Sequence, residues 1–181
     1  QEAREHLKGR GIVNESGGEF ELGYALPEWG ALRQHCFEQG YTDDDLVYIG
    51  MLVKKEDGKS FDRFRNRIMI PIRDPKGQVV GFGARAIDVD DVPKFMNSPQ
   101  TELFDKGALL YGLDLANLAI REHGTSVLVE GYMDVIVAHQ SGFSNVVSAM
   151  GTALSEQQLR LLKRHAASVV PVSYTHLTLP T

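Results

Sequence analysis

The 181 residues are 43% apolar, enough for one mid-sized domain or two small ones with their own cores. No stretch approaches the roughly 20 consecutive apolar residues of a membrane-spanning helix, and a single cysteine, Cys36, excludes a disulfide framework and a thiolate zinc site. The net charge of −5 does not advertise a polyanionic partner, but it is uneven. Residues 1–53 carry 4 Lys/Arg against 10 Asp/Glu (−6), residues 54–106 carry 11 against 9 (+2), and residues 107–181 carry 4 against 5 (−1). Phosphate contacts are therefore to be sought in the middle segment, where cations could displace counterions from a nucleic acid. Charge alone fits a solvated face of mixed sign equally well.

In chain order, the opening Gln1-Glu2-Ala3-Arg4-Glu5-His6 has no initiator Met and no secretory apolar run, and it reads as the interior of a longer protein. A reducing, cytoplasmic compartment is the expectation. Residues 1–53 read as short helices and turns. One helix is expected to open at Pro27-Glu28-Trp29-Gly30, with Pro at the first position, and another after Thr42 as N-cap, with Asp43, Asp44 and Asp45 in its first turn. Trp29 and Tyr41 are expected to anchor a small core rather than stack bases. Arg67 to Arg73 and Gln78 to Arg85 flank Asp74-Pro75-Lys76-Gly77 and predict a β-hairpin, with Pro71 at an edge or bulge. Arg63, Arg65 and Arg67 alternate, so on a strand they would share one face, either meeting phosphate or pairing with Asp62 and Asp74. Gly81-Phe82-Gly83 lacks the third glycine and helix of a dinucleotide loop and reads as close packing.

The last third changes character. Leu113 to Glu122 has helical periodicity and stops before Gly124, Ser126 to Val129 is a buried-type strand, and Met133 to Gln140 is a helix ending near Gly142. Asn145 to Ser148 gives a second strand, Ser155-Glu156-Gln157-Gln158 a capping box opening a helix through Arg164, and Ser168 to Val170 a third strand. Alternating strands and helices with short links predict a parallel sheet. Ligands of such sheets gather beyond the carboxyl ends of the strands, where Glu130 and Gly131 stand, with Asp134 one helical turn on. Two carboxylates there suit Mg²⁺, which prefers oxygen ligands and substrate phosphates. An acidic helix start that binds nothing has the same spacing.

Val129-Glu130-Gly131-Tyr132-Met133-Asp134-Val135 resembles the glutamate motif of the Toprim fold in DnaG-type bacterial replicative primases. Asp62 to Arg73 resembles the arginine-rich strand of that family, and Pro93 to Thr101 and Phe104-Asp105-Lys106-Gly107 resemble its two lysine motifs. Leu110-Tyr111-Gly112-Leu113 and Ala149-Met150-Gly151-Thr152-Ala153-Leu154 agree as well, so the resemblance covers most of residues 7–170. It implies an α/β fold: an N-terminal mixed α/β subdomain over residues 1–106, carrying the basic surface, then the start of a Toprim-type parallel sheet flanked by helices over residues 107–170. The implied activity is DNA-directed synthesis of short RNA primers from ribonucleoside triphosphates by metal-assisted phosphoryl transfer.

By the same resemblance, Glu130 is the catalytic glutamate, either a metal ligand or an acid/base group near the reacting phosphate, and Asp134 is a further acidic residue of the metal site. Arg10, Arg63, Arg65, Arg67, Arg85, Lys94, Asn97 and Lys106 meet template, primer and nucleotide. The implied cofactor is Mg²⁺, with Mn²⁺ as a substitute, and zinc is expected only in a domain outside this chain. Expected partners are a single-stranded DNA template and the RNA primer, with a replicative helicase and single-strand-binding protein engaged through a C-terminal domain also outside it. Family members follow the third strand with an Asp-x-Asp motif, whereas Pro171 to Thr181 resembles translated adaptor read-through. The chain by itself is therefore expected to make no primers. A different Toprim enzyme, such as a topoisomerase or nuclease, and a non-catalytic nucleic-acid-binding remnant are the competing readings.

Overall fold

A computed structural model describes residues 1–13, 18–88, 90–151 and 153–172. The chain divides into two compact units, the first ending at Lys106 and the second starting at Gly107. In the first, helix α1 (Glu2–Gly9) precedes strand β1 (Gly23–Ala25), helices α2 (Ala31–Glu38) and α3 (Asp43–Tyr48), and strands β2 (Leu52–Lys54) and β3 (Ser60–Asp62). Strands β4 (Arg67–Arg73), β5 (Val79–Ala86) and β6 (Phe95–Asn97) follow. An antiparallel sheet has the order β1-β4-β5-β6, and β2 and β3 pair separately.

The hairpin forms where the turn chemistry places it, with Arg67 opposite Ala86 and a register shift between Ile72 and Arg73. Pro71 pairs only with Phe82 of β5, because β1 reaches no farther than Met69, so its missing N–H leaves no ladder bond unmade. Ile68, Ile70 and Ile72 are fully buried. Met51, Phe64, Met69 and Ala84 form a core against Leu32, Phe82 and Met96.

Three local expectations are corrected. Helix α2 starts at Ala31 with Gly30 as N-cap, four residues after Pro27. Its first-turn donors are met from across the sequence: the Leu32 and Arg33 amides donate to the Asp62 carboxylate at 2.8 and 3.0 Å, a partner that local spacing does not reveal. Trp29 and Tyr41 are 64% and 56% exposed and anchor no core. Arg63, Arg65 and Arg67 do not share a strand face, because β3 ends at Asp62 and β4 begins at Arg67. Arg65 donates to the Asp62 carbonyl and Asn66 takes φ 50°, which turns the chain between the two strands.

The second unit has the expected alternation. A 3₁₀ turn (Lys106–Ala108) bridges the boundary, then α4 (Leu113–His123), β7 (Thr125–Val129), α5 (Tyr132–Gln140), β8 (Val146–Ser148), α6 (Glu156–Lys163) and β9 (Ser168–Pro171) follow. The strands are parallel in the order β8-β7-β9. Gly124 ends α4 at φ 65°, a conformation costly for other residues. Leu113, Ala116 and Ile120 turn the buried stripe of α4 onto Val147, Ala149 and Leu162. Pro171, assigned from sequence to the unrelated tail, is the last residue of β9, and the Val172 amide donates to the Leu128 carbonyl at 2.8 Å. The rest of that tail, residues 173–181, lies outside the described residues.

Gly81 shows the close packing expected of it. A Cβ there would lie 2.7 Å from the Phe104 ring, and Phe104 is 1% exposed with no room to retreat. Gly81→Ala is therefore expected to destabilise the chain by about 1–3 kcal/mol in urea unfolding, as overpacking does. An unchanged midpoint would show that Phe104 is not locked onto β5.

Candidate functional site

In the first unit, three basic side chains from separate stretches meet around a cavity of about 140 Å³ lined by His6, Arg10, Arg85, Ala86, Ile87, Asp88 and Lys94. Arg10 follows the last turn of α1, Arg85 stands on β5, and Lys94 immediately precedes β6. Register puts Arg85 opposite Phe95, and the guanidinium carbon lies 4.9 Å from the Phe95 ring centroid. Arg85 is 4% exposed, and its Nε–H donates to His6 Nε2 at 3.2 Å. Burial, followed by the neighbouring Arg10, holds the Arg85 guanidinium below its ordinary pKa, yet a guanidinium stays charged at neutral pH.

Of the candidate arginines, Arg63, Arg65 and Arg67 are fixed by backbone oxygens. Arg63 Nε donates to the Gly50 carbonyl at 2.8 Å, and Arg67 Nη1 to the Pro93 carbonyl at 2.6 Å, bracing the segment that carries Lys94. Burial lowers both pKa values; for Arg67 nearby Asp91 works against that burial effect. Arg65 lies over the exposed Trp29 ring at 4.0 Å and near Phe61 at 5.5 Å, with Trp29 edge-on to Phe61 at 5.4 Å. The result is a surface platform of two aromatic rings and a cation. The sequence favours a core role for Trp29 over stacking because residues 29 and 61 come together only through the fold; the signal for the platform is Lys55, Phe61 and Arg65 falling in one basic stretch. Asn97 lies on β6 opposite Gly83. Lys106 opens the 3₁₀ turn, where burial lowers its pKa, and the contact of Phe104 with Gly81 anchors the segment leading to it.

In the second unit, Glu130 directly follows β7 and is exposed. It lines a cavity of about 360 Å³ with Val129, Ala149, Gly151, Leu154 and Val172, at the carboxyl ends of the strands. Two donors pin its carbonyl: Ser148 Oγ–H at 2.9 Å and the Gly151 amide at 3.0 Å. Ser148 Oγ in turn accepts from the Met150 amide, folding the turn after β8 beneath Glu130. Sequence reasoning did not single out Ser148, since a serine ending a strand carries no spacing signal. Asp134 Oδ2 accepts from the Gly131 amide at 3.0 Å, so the carboxylate caps the start of its own helix, while its other oxygen takes no part in that bond. Among the described residues no three His, Cys, Asp or Glu side chains form a metal cage. Two hard carboxylates do match the way Mg²⁺ is usually held, by one or two carboxylates with substrate phosphates and water completing the shell. No helix among the described residues is long and apolar enough to cross a membrane.

Residues 1–117 match the family profile described as DNA primase catalytic core, N-terminal domain, and residues 124–178 match that of the Toprim domain. The chain is 45% identical to the DNA primase of Clostridium acetobutylicum over 174 residues, 95% of this chain and 28% of that protein. It superposes on the E. coli primase catalytic core with a TM-score of 0.86 at 39% identity, covering 94% of this chain and 54% of that one. A DnaG primase catalytic domain bound to single-stranded DNA matches with a TM-score of 0.84 at 38% identity, covering 94% and 55%. The chain thus spans under a third of the first curated relative and about half of these solved chains.

Ser148 is fully buried, and its hydroxyl serves both the Glu130 carbonyl and the Met150 amide. Ser148→Ala is expected to raise hydrogen exchange at the Met150 amide by about tenfold, the equivalent of one lost buried hydrogen bond. Unchanged exchange would mean that the turn holds Glu130 without the hydroxyl.

Proposed function

The chain belongs to the bacterial DNA primase catalytic-core family, and on that premise we propose that it forms part of an enzyme synthesising short RNA primers on single-stranded DNA in the cytoplasm. The observation that carries this reading is the choice of partner made by the arginines. Arg63, Arg65 and Arg67 are held by backbone carbonyls and Arg85 by an imidazole, and none of the four enters an ion pair among the described residues. Other cations of the chain do form ion pairs: Arg33 with Asp43, Lys54 with Asp44, Lys59 with Asp57, Arg73 with Glu21 and Arg160 with Glu156. A neutral acceptor orients a guanidinium without cancelling its charge, so this segment keeps a positive field in an acidic chain, as phosphate binding requires.

The roles follow from the placements. Arg10, Arg85 and Lys94 grip phosphate at their shared cavity, with Asn97 and Lys106 contributing from β6 and the 3₁₀ turn. Trp29 forms a stacking platform for an unpaired base, which reads no sequence because every base has a π-face, and Arg65 over its ring contributes a phosphate contact beside it. Arg63 and Arg67 hold the backbone that presents these contacts. Glu130 acts at the reacting phosphate, positioned through its pinned carbonyl, with Asp134 beside it. Mg²⁺, or Mn²⁺ in its place, would be held by these two carboxylates and neutralise charge on the attacking and leaving oxygens. Zinc, the replicative helicase and single-strand-binding protein would be engaged by segments of a longer protein outside this chain.

In a primase of the relatives' full length containing this segment, Glu130→Gln is expected to cut primer synthesis by about 10²-fold or more and leave single-strand affinity unchanged. Loss of binding with synthesis would instead place Glu130 in template binding. Trp29→Ala is expected to weaken single-strand binding by about 1–3 kcal/mol without altering its salt dependence. Arg65→Ala should lower the slope of log affinity against log salt by about one. Equal salt slopes in both variants would remove Arg65 from the phosphate contacts.

A further inference from the structure

His6 stands outside every motif that carries the family resemblance, yet it is the acceptor that the Arg85 guanidinium uses among the described residues. The bond joins α1 to β5 across 79 positions of sequence. Arg85 is gripped on two sides, by the Phe95 ring at 4.9 Å and by His6 Nε2 at its Nε–H. With Nε so engaged, the two terminal guanidinium nitrogens remain to address the cavity that Arg10 and Lys94 also line. Resting on the phosphate-binding reading above, we propose that His6 is a positioning residue, a neutral imidazole that aims the Arg85 fork at a phosphate group while leaving its charge whole.

A carboxylate in the same place would orient Arg85 more strongly but would compete with the ligand for it. A neutral imidazole avoids that competition, and it does so only as the tautomer with Nδ1 protonated and Nε2 bare. Protonation would set two N–H donors and two positive charges against each other and break the contact. The groups facing His6 are Arg10 from the end of α1, Arg85 from β5, and Asp88 and Lys94 from the segment between β5 and β6. Burial, followed by Arg85 and Arg10, keeps the imidazole pKa below its ordinary value of 6.5. The contact is therefore fully present above that value and is lost as pH falls through the lowered one.

The test uses the whole chain, a short fluorescein-labelled single-stranded oligodeoxynucleotide, and the variants His6→Gln, which keeps an acceptor and does not titrate, and His6→Leu, which removes it. Near neutral pH, His6→Leu is expected to bind about threefold to tenfold more weakly, the effect of one neutral hydrogen bond, with His6→Gln close to wild type. On acidification through the histidine range, wild type should lose affinity relative to His6→Gln. Normal binding by His6→Leu would overturn the proposal. So would tighter wild-type binding at low pH, which would make His6 a phosphate-binding cation in its own right.

The Arg85 Nε–H resonance provides a readout that needs no ligand. It should follow the titration of His6 in wild type and lose its protection from exchange in His6→Leu. Indifference to both pH and substitution refutes the positioning role. If the oligonucleotide fails to bind even wild type, the phosphate-binding reading falls, while this resonance still decides whether His6 orients Arg85.

Discussion

Burying a carboxylate costs several kcal/mol unless its oxygens are engaged, and Asp62 is 2% exposed. Its oxygens accept from the Leu32 and Arg33 amides at the start of α2, where the helix dipole also favours negative charge. Its own amide donates to the Trp29 carbonyl at 2.9 Å, and its carbonyl receives Arg65. One residue thus fixes the start of a helix, the position of an exposed tryptophan and the turn that lays an arginine over that ring. The platform is exposed, but its geometry is set from below by a buried charge.

The second unit rests on a different constraint. A strand buried in a parallel sheet must end at the sheet's edge, and the next residue enters a crevice whose walls are the ends of its neighbours. Val129 is buried and Glu130 exposed, so the boundary falls between them. The Ser148 hydroxyl and the Gly151 amide then fix the Glu130 carbonyl, which limits how far its side chain can wander. A buried, satisfied hydroxyl on a neighbouring strand accomplishes what a loop alone would not.

Much of this was legible in the sequence because it is local. The Thr42 N-cap, the Ser155 capping box, the Pro-Gly hairpin, the helix stop at Gly124 and the β-α alternation each depend on residues a few positions apart, and each appears where expected. The failures share the opposite property. The start of α2 depends on Asp62, about thirty residues away, and the placement of Trp29 on contacts with Phe61 and Arg65. Alternation of Arg63, Arg65 and Arg67 suggested a strand, but buried Phe64 and the Arg65–Asp62 contact turn the chain there instead. The candidate residues themselves were recognisable; their partners, which decide what each one does, were not.

Those partners also explain how an acidic chain supports a basic surface. Desolvation makes Arg63, Arg67 and Arg85 less comfortable as cations than they would be in water, which is why burial lowers all three pKa values. Ion pairing would relieve that discomfort and also remove the charge. Carbonyl and imidazole acceptors orient the guanidinium and leave part of the desolvation cost unrelieved. Under the proposed function, a phosphate meeting Arg85 would find its guanidinium already held in place, so little ordering would oppose binding. All three arginines lie in the segment whose charge balance is positive.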